Sequence, residues 1–308
     1  MTNRISTEIL APSIPVHLGR EEASPGFLGD LMILVKARLT LLVLITTFVG
    51  FCMASGGKPD LLQLLYTLIG TALVAAASQT LNQVIEVDVD RLMERTRDRP
   101  LPAGRIKWLH ALLFGVVMAG TGLVVLATVV NLPAACMAAA TLVIYLGLYT
   151  PLKRYTPFCI TVGAVAGAIP PALGWVSAKP AVDAGSWILF AILFFWQMPH
   201  FLAIAWMYRD EYAEAGFVML RPKDTSGRVT AVESFVFTVA LLAASLAPYF
   251  LNLASPIYLA GAVMLNAMML FYAARFLLKR TRDSSRRLFF ASILYLPVLL
   301  ALLVFARA

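Results

Sequence analysis

The sequence predicts an all-α integral membrane protein of about nine transmembrane helices, and three observations carry that expectation. The 308 residues are 60% hydrophobic and only 14% charged, with a mean hydropathy of +0.81. Soluble domains carry about 25% charged residues, so this chain has too little polar surface to cover itself in water. Its apolar residues gather in runs close to the ~20 that a helix needs to cross the hydrocarbon. Finally, when the loops are assigned to alternate sides from an inside N-terminus, all 25 lysines and arginines except Lys58, Lys179 and Arg307 fall inside, which is the positive-inside pattern. The alternation demands an odd number of spans, because one missed or invented span would throw the later basic loops to the wrong face.

In chain order the expected spans are Met32–Phe51, Leu61–Leu81, Leu109–Val130, Pro133–Tyr149, Phe158–Val176, Trp187–Met207, Val232–Phe250, Ile257–Leu277 and Leu288–Phe305. Each is followed by charge, Gly/Pro or a polar break. Residues 1–30 are polar and mixed in sign. They lack an apolar core behind a basic start, and Glu8, Glu21, Glu22 and Asp30 set them apart from an acid-poor transit sequence. A flexible cytoplasmic tail over 1–30 and a single transmembrane domain over 31–308 are therefore expected. The net charge of +8 would suit nucleic acid, but its loop-by-loop distribution argues for membrane lipid instead. Cys52, Cys136 and Cys159 show no CxxC spacing, which tells against a thiolate metal site or a disulfide framework.

The densest charge follows the second span. If that span continues as a helix past Leu81, Asn82, Glu86 and Asp90 lie along one face, the first and last ~12 Å apart at 1.5 Å per residue. A row of hard oxygen ligands at the end of a membrane helix suits Mg²⁺, which is usually held by one or two carboxylates plus substrate phosphates. Asp88 points elsewhere unless the helix unwinds near Val87. "RTRDRP" adds Arg95, Arg97 and Arg99, whose planar guanidinium groups match phosphate oxygens. The alternative is a solvated loop in which Glu86, Asp88, Asp90, Glu94 and Asp98 pair with Arg91, Arg95, Arg97, Arg99 and Arg105. Against it, ionisable groups at helix depth are costly and usually functional.

Three later segments reach the same membrane face or the bundle interior. Lys153 and Arg154 close the fourth span, either as interface anchors or as cations that reach a bound diphosphate. Gly163, Gly167 and Gly174 in the fifth allow close helix approach or room for a flat ligand, and Pro170-Pro171 is expected to break that helix. In the sixth, Gln197 and His200 lie in an apolar run, where polar groups need partners or a purpose; a satisfied structural histidine and a ligand-binding one both remain open. Trp196, Trp206 and Tyr208 could stack on a flat ring or pack against helices and lipid. Tyr208, Arg209, Asp210, Glu211 and Glu214 form a second charged cluster at the face of the first.

These positions resemble the membrane-embedded aromatic prenyltransferases of the UbiA type, whose first signature is Asn followed by acids at plus four and plus eight, then Arg-Thr and Arg-Pro-Leu. Here it stands as Asn82, Glu86, Asp90, Arg95-Thr96 and Arg99-Pro100-Leu101, with Glu86 where the family usually has Asp. "LYTPLKRYT", "GAIPPALGW" and "WQMPHF", with the charged stretch after it, are similar to the haem-farnesylating branch, in the same order and over about Lys36 to Leu300. Quinone-branch relatives carry a second motif of regularly spaced aspartates, from which Tyr208, Asp210, Glu211 and Glu214 depart.

The resemblance implies a UbiA-type bundle in a bacterial inner membrane, with the C-terminus outside. It implies Mg²⁺-dependent transfer of a farnesyl group from farnesyl diphosphate to the 2-vinyl group of haem B, with addition of water, giving haem O. Haem B is then a substrate rather than a permanent cofactor. The implied catalytic residues are Asn82, Glu86, Asp90, Lys153 and Arg154, with Glu86 and Asp90 as metal ligands. Arg95, Arg99, Gln197, His200, Tyr208 and Glu211 are implied to meet the substrates, and a haem A synthase or terminal oxidase would be the assembly partner. Two alternatives fit the same pattern: prenylation of a quinone precursor, which "WQMPH" and "LKRYT" disfavour, and transport, which usually places its charges near the membrane midplane.

Overall fold

A computed structural model describes residues 26–307; the expected tail up to residue 25 lies outside the described residues. The helices are α1 (Phe27–Leu34), α2 (Ala37–Ala54), α3 (Leu61–Asp90), α4 (Trp108–Val125), α5 (Leu132–Leu142), α6 (Thr150–Leu152), α7 (Cys159–Ala178), α8 (Ala184–Met207), α9 (Arg209–Glu214), α10 (Arg228–Phe250), α11 (Pro256–Lys279) and α12 (Arg282–Phe305). π-helical turns extend α4 over Leu126–Val130 and join α5 to α6 over Val143–Tyr149. Among the described residues, nine helical segments are long and apolar enough to cross a membrane. The expected count and order of spans hold, and the protein is a multi-pass membrane protein.

Local chemistry sets several helix starts. The Asp60 side chain accepts from the Leu62 and Gln63 amides, Asn131 from Ala134, and Asp183 from Gly185 and Ser186. Thr281 and Ser284 form a reciprocal capping box. Each satisfies N–H groups that a helix start leaves free. With 30 residues, α3 is about 45 Å long at 1.5 Å per residue. That exceeds the ~30 Å hydrocarbon, so its last turns, bearing Glu86 and Asp90, emerge at the membrane face.

Two local expectations change. The first span is not continuous: α1 and α2 are separated at Lys36, which adopts a left-handed conformation with φ 44°. The carbonyls exposed there find donors, because Gln83 Nε2 donates to Leu34 O at 2.6 Å and Thr40 Oγ1 donates to Val35 O at 2.9 Å. Conversely, Pro170-Pro171 does not break α7, which runs unbroken from Cys159 to Ala178. Membrane helices tolerate proline where neighbouring helices support the backbone, and α7 is the most enclosed span. Here α2 and α7 approach backbone to backbone. A Cβ on Gly50 would collide with the Pro171 carbonyl, and one on Gly174 with the Thr47 carbonyl. The fifth-span glycines therefore serve close packing.

In the second half, Tyr258 OH donates to Ser245 O (2.6 Å), Asn266 Nδ2 to Ser245 Oγ (2.7 Å) and Tyr295 OH to Asn266 Oδ1 (3.2 Å). This buried network ties α10, α11 and α12 together, and each of its own polar side chains has a partner.

Candidate active site

Because α3 stays helical to Asp90, Asn82, Glu86 and Asp90 share one face and all three are buried, at 1%, 5% and 3% exposure. Asp88 is exposed and pairs with Arg91 at 3.3 Å, so it takes no part in the stripe. Buried carboxylates require close partners, and each has one. Lys153 Nζ lies 2.9 and 3.2 Å from the two Glu86 oxygens. Arg99 Nη1 lies 2.7 Å from Asp90 Oδ2. Asn82 Nδ2 donates to Thr150 Oγ1 at 3.0 Å, and that hydroxyl donates to the Tyr145 carbonyl at 2.9 Å. Thr96 Oγ1 donates to the Asp90 carbonyl at 2.8 Å, folding the arginine-rich loop back over the helix end. The loop is anchored again by Arg105, whose Nε is 3.0 Å from both oxygens of buried Asp30.

Lys36, at the break between α1 and α2, feels the charges of this cluster without pairing with any of them among the described residues. Burial and the nearby cations Arg99 and Lys153 push its amine down to about 7, against the opposing pull of Glu86 and Asp90. Lys153 experiences the same burial, yet direct contact with Glu86 holds its amine above the ordinary lysine range. The geometry thus pairs two acids with the cations Arg99 and Lys153.

The second charged segment covers the first. Arg95 sits over the rings of Tyr208 and Tyr212, 5.7 and 5.8 Å from their centroids. Lys153 Nζ lies 4.5 Å from the Tyr149 ring and 5.8 Å from Phe217. The Val218 amide donates to the Lys153 carbonyl at 2.7 Å, and Phe217 packs with Val89 and Met93. The acids here behave differently: Asp210 is exposed beside Arg209, Glu214 is exposed, and Glu211 has a buried Oε1 without a hydrogen-bond partner.

Among the described residues no three His, Cys, Asp or Glu side chains converge as a metal cage. Glu86 and Asp90, with Asn82 beside them, form a two-carboxylate oxygen set, which fits Mg²⁺ that takes its remaining ligands from phosphate and water.

The other expected positions divide. Arg154 is exposed and takes part in no ion pair among the described residues. Gln197 is buried on α8, its carboxamide oxygen against Gly167 and its Nε2 donating to Leu193 O at 3.2 Å. His200 turns instead toward α12. Its Nδ1 is 2.7 Å from Ser292 Oγ, and its ring stacks with both Trp196 and Phe289 at centroid distances of 4.9 Å.

Lys36, Tyr149, Thr150, Tyr212, Phe217 and Ser292 are absent from the sequence-derived site. Tyr149 and Thr150 lie within one helical turn before Lys153, and Tyr212 follows Glu211, so spacing offered a signal for those three. Lys36 could be read only as a topology-setting charge, and nothing local marks Ser292.

The chain is 42% identical to a protoheme IX farnesyltransferase of Solibacter usitatus, covering 90% of this chain and 98% of that one. Two solved structures share the fold. One is a digeranylgeranylglyceryl phosphate synthase (TM-score 0.78, 18% identity, covering 91% of this chain and 98% of that one). The other is a UbiA homolog from Archaeoglobus fulgidus bound to GPP and Mg²⁺ (TM-score 0.63, 16% identity, covering 89% and 99%). The model of the UbiA prenyltransferase family matches residues 43–294, and with the paired-acid stripe on α3 and a 42% identical relative matched over nearly its whole length, the chain belongs to that family.

Proposed function

We propose that this protein transfers the farnesyl group of farnesyl diphosphate to the 2-vinyl group of haem B, with addition of water, giving haem O and diphosphate. The observation that carries this reading is the 42% identity to a protoheme IX farnesyltransferase over 98% of that protein. The α3 stripe supports the donor half of the reaction. Residues 31–308 would act as one transmembrane domain in a bacterial inner membrane. The face that bears the stripe and the basic loops would be cytoplasmic and the C-terminus external, with a flexible tail over 1–30. A haem A synthase or terminal oxidase assembly would receive the product.

Lys153, Arg99 and Arg95 would hold the diphosphate oxygens, with Asn82 and Arg154 assisting at the rim. Glu86 and Asp90 would hold Mg²⁺, whose charge offsets that of the departing diphosphate. The C1–O bond of farnesyl diphosphate breaks with its electron pair leaving on diphosphate. The terminal vinyl carbon of haem bonds to C1, and the cation left beside the porphyrin takes the oxygen of water and releases a proton. Lys153 and Arg99 lie where negative charge grows on the leaving group, and charge fixed in advance at such a point lowers the barrier. Phe217, Tyr149, Tyr208 and Tyr212 wall that end of the site and exclude bulk water from the allylic cation. Gln197 and His200 on α8 would contact the macrocycle, His200 as an axial group to iron, and Glu211 would line the approach.

The test is to incubate detergent-purified protein with haem B, farnesyl diphosphate and Mg²⁺, and to follow porphyrin mass with and without chelator, alongside Asp90→Asn. Chelator-sensitive gain of a hydroxyethylfarnesyl group, absent in the variant, is the expected result. Unchanged haem with prenylation of a quinone precursor would overturn the acceptor and leave the donor site standing.

A further inference from the structure

His200 and Ser292 are 92 residues apart in sequence, and the contact between them carries information about the histidine's protonation. Ser292 is fully buried on α12. Its Oγ lies 2.6 Å from the Phe289 carbonyl oxygen and 2.7 Å from His200 Nδ1. A hydroxyl has one proton to give. A carbonyl oxygen only accepts, and two oxygens at 2.6 Å with no proton between them would repel, so the serine proton goes to Phe289, a common backbone bond for serine within a helix. Ser292 Oγ must then accept from the imidazole, which requires the proton on Nδ1 and leaves the lone pair on Nε2.

The surroundings hold this arrangement. Trp196 Nε1 donates to the Ser292 carbonyl at 2.8 Å, so α8 grips both the backbone and the side chain of this residue. Trp196 and Phe289 both stack on the imidazole, with interplanar angles of 23° and 30°, which restrains its tilt. Nε2 makes no hydrogen bond, and it is not among the sealed, unpartnered polar atoms of the described interior. Its lone pair is the one ring position left uncommitted among the described residues. His200 lies seven residues before the end of α8 at Met207, about 10 Å from that end at 1.5 Å per residue, the end to which the α3 acids also belong. An iron-bearing macrocycle held at that depth can extend an edge toward the diphosphate.

We propose that Ser292 is a positioning residue that fixes His200 as the Nδ1–H tautomer, so that Nε2 presents its lone pair to the iron of the haem substrate. The assignment rests on the haem-farnesylating reading of the protein. A hydrogen bond from the far ring nitrogen orients an imidazole ligand and raises its basicity.

The test separates the two ideas. Protein carrying ¹⁵N-labelled histidine is examined by NMR without haem, with His200→Gln used to assign the signal among the three histidines. Haem B is then titrated, and its optical spectrum and dissociation constant are read. Wild-type His200 is expected to show a protonated Nδ1 and an unprotonated Nε2. Ser292→Ala should mix the tautomers, weaken haem binding by about 10- to 100-fold and alter the axial-ligand bands; Ser292→Thr should restore all three.

A wild-type signal with the proton on Nε2 overturns the proposal without needing any variant to fold. So does a Ser292→Ala protein that matches wild type in both tautomer and haem spectrum, or a His200→Gln protein with an unchanged haem spectrum. Failure of the wider functional reading has a different signature: haem is left unfarnesylated while the tautomer and the axial bands stand.

Discussion

The two charged segments at the site face contain similar residues and do different work. On α3 the acids are buried and each has a base in contact: Glu86 with Lys153 and Asp90 with Arg99. On α9, Asp210 and Glu214 are exposed, and the segment reaches the site through aromatic rings, with Tyr208 and Tyr212 against Arg95. Acidic composition alone therefore does not identify a metal–diphosphate site. What sets α3 apart is two buried acids on one helix face, each with its own cation, because buried charge persists only when paired and the proposed site draws on those cations for phosphate. The first segment supplies the electrostatics, and the second acts as a cover.

The comparison can be broken most severely at Lys153. Lys153→Met leaves Glu86 buried without its partner, at an expected cost of about 3–5 kcal/mol. Thermal unfolding in detergent should show a lowered midpoint, partly recovered by adding Glu86→Gln. A single variant as stable as wild type would mean that the ion pair is dispensable.

Next in size, Asp90→Asn is expected to lower kcat by about 100- to 1,000-fold with the fold intact by the same unfolding measurement. Asp210→Asn is its counterpart on α9, and a comparable loss there would erase the distinction between the segments.

A smaller effect follows from the cover. Tyr212→Leu removes one of the rings under Arg95 and a hydroxyl 3.4 Å from its Nη2. A loss of about 0.5–1 kcal/mol, two- to fivefold in KM for the prenyl donor, is expected, with Tyr212→Phe in between. Smallest of all, Asp210→Asn and Glu214→Gln should change stability by no more than about 0.5 kcal/mol, as substitutions at solvated surface positions do.

Much of the architecture is legible in the order of the amino acids, for a local reason. The hydrocarbon sets span length, and the helical period puts residues four apart on one face, so composition and spacing suffice to place nine spans and the Asn82, Glu86, Asp90 stripe. The same local reasoning fails where a neighbour decides the outcome. Pro170-Pro171 reads as a break, but α7 stays whole where α2 packs against its backbone. Met32–Phe51 reads as one span, yet the chain turns at Lys36, where Gln83 on α3 captures the Leu34 carbonyl.

By itself the sequence determined the membrane class, the order of the spans and which side chains face the same way on a helix. Only the tertiary structure decided which base meets which acid, that Arg154 stays outside while Lys36 comes in, and that His200 binds Ser292. These pairings join residues 67 and 92 positions apart in the cases of Lys153 with Glu86 and His200 with Ser292. No local periodicity encodes them, because partner choice across such distances is made by helix packing and by the cost of leaving a buried polar group alone.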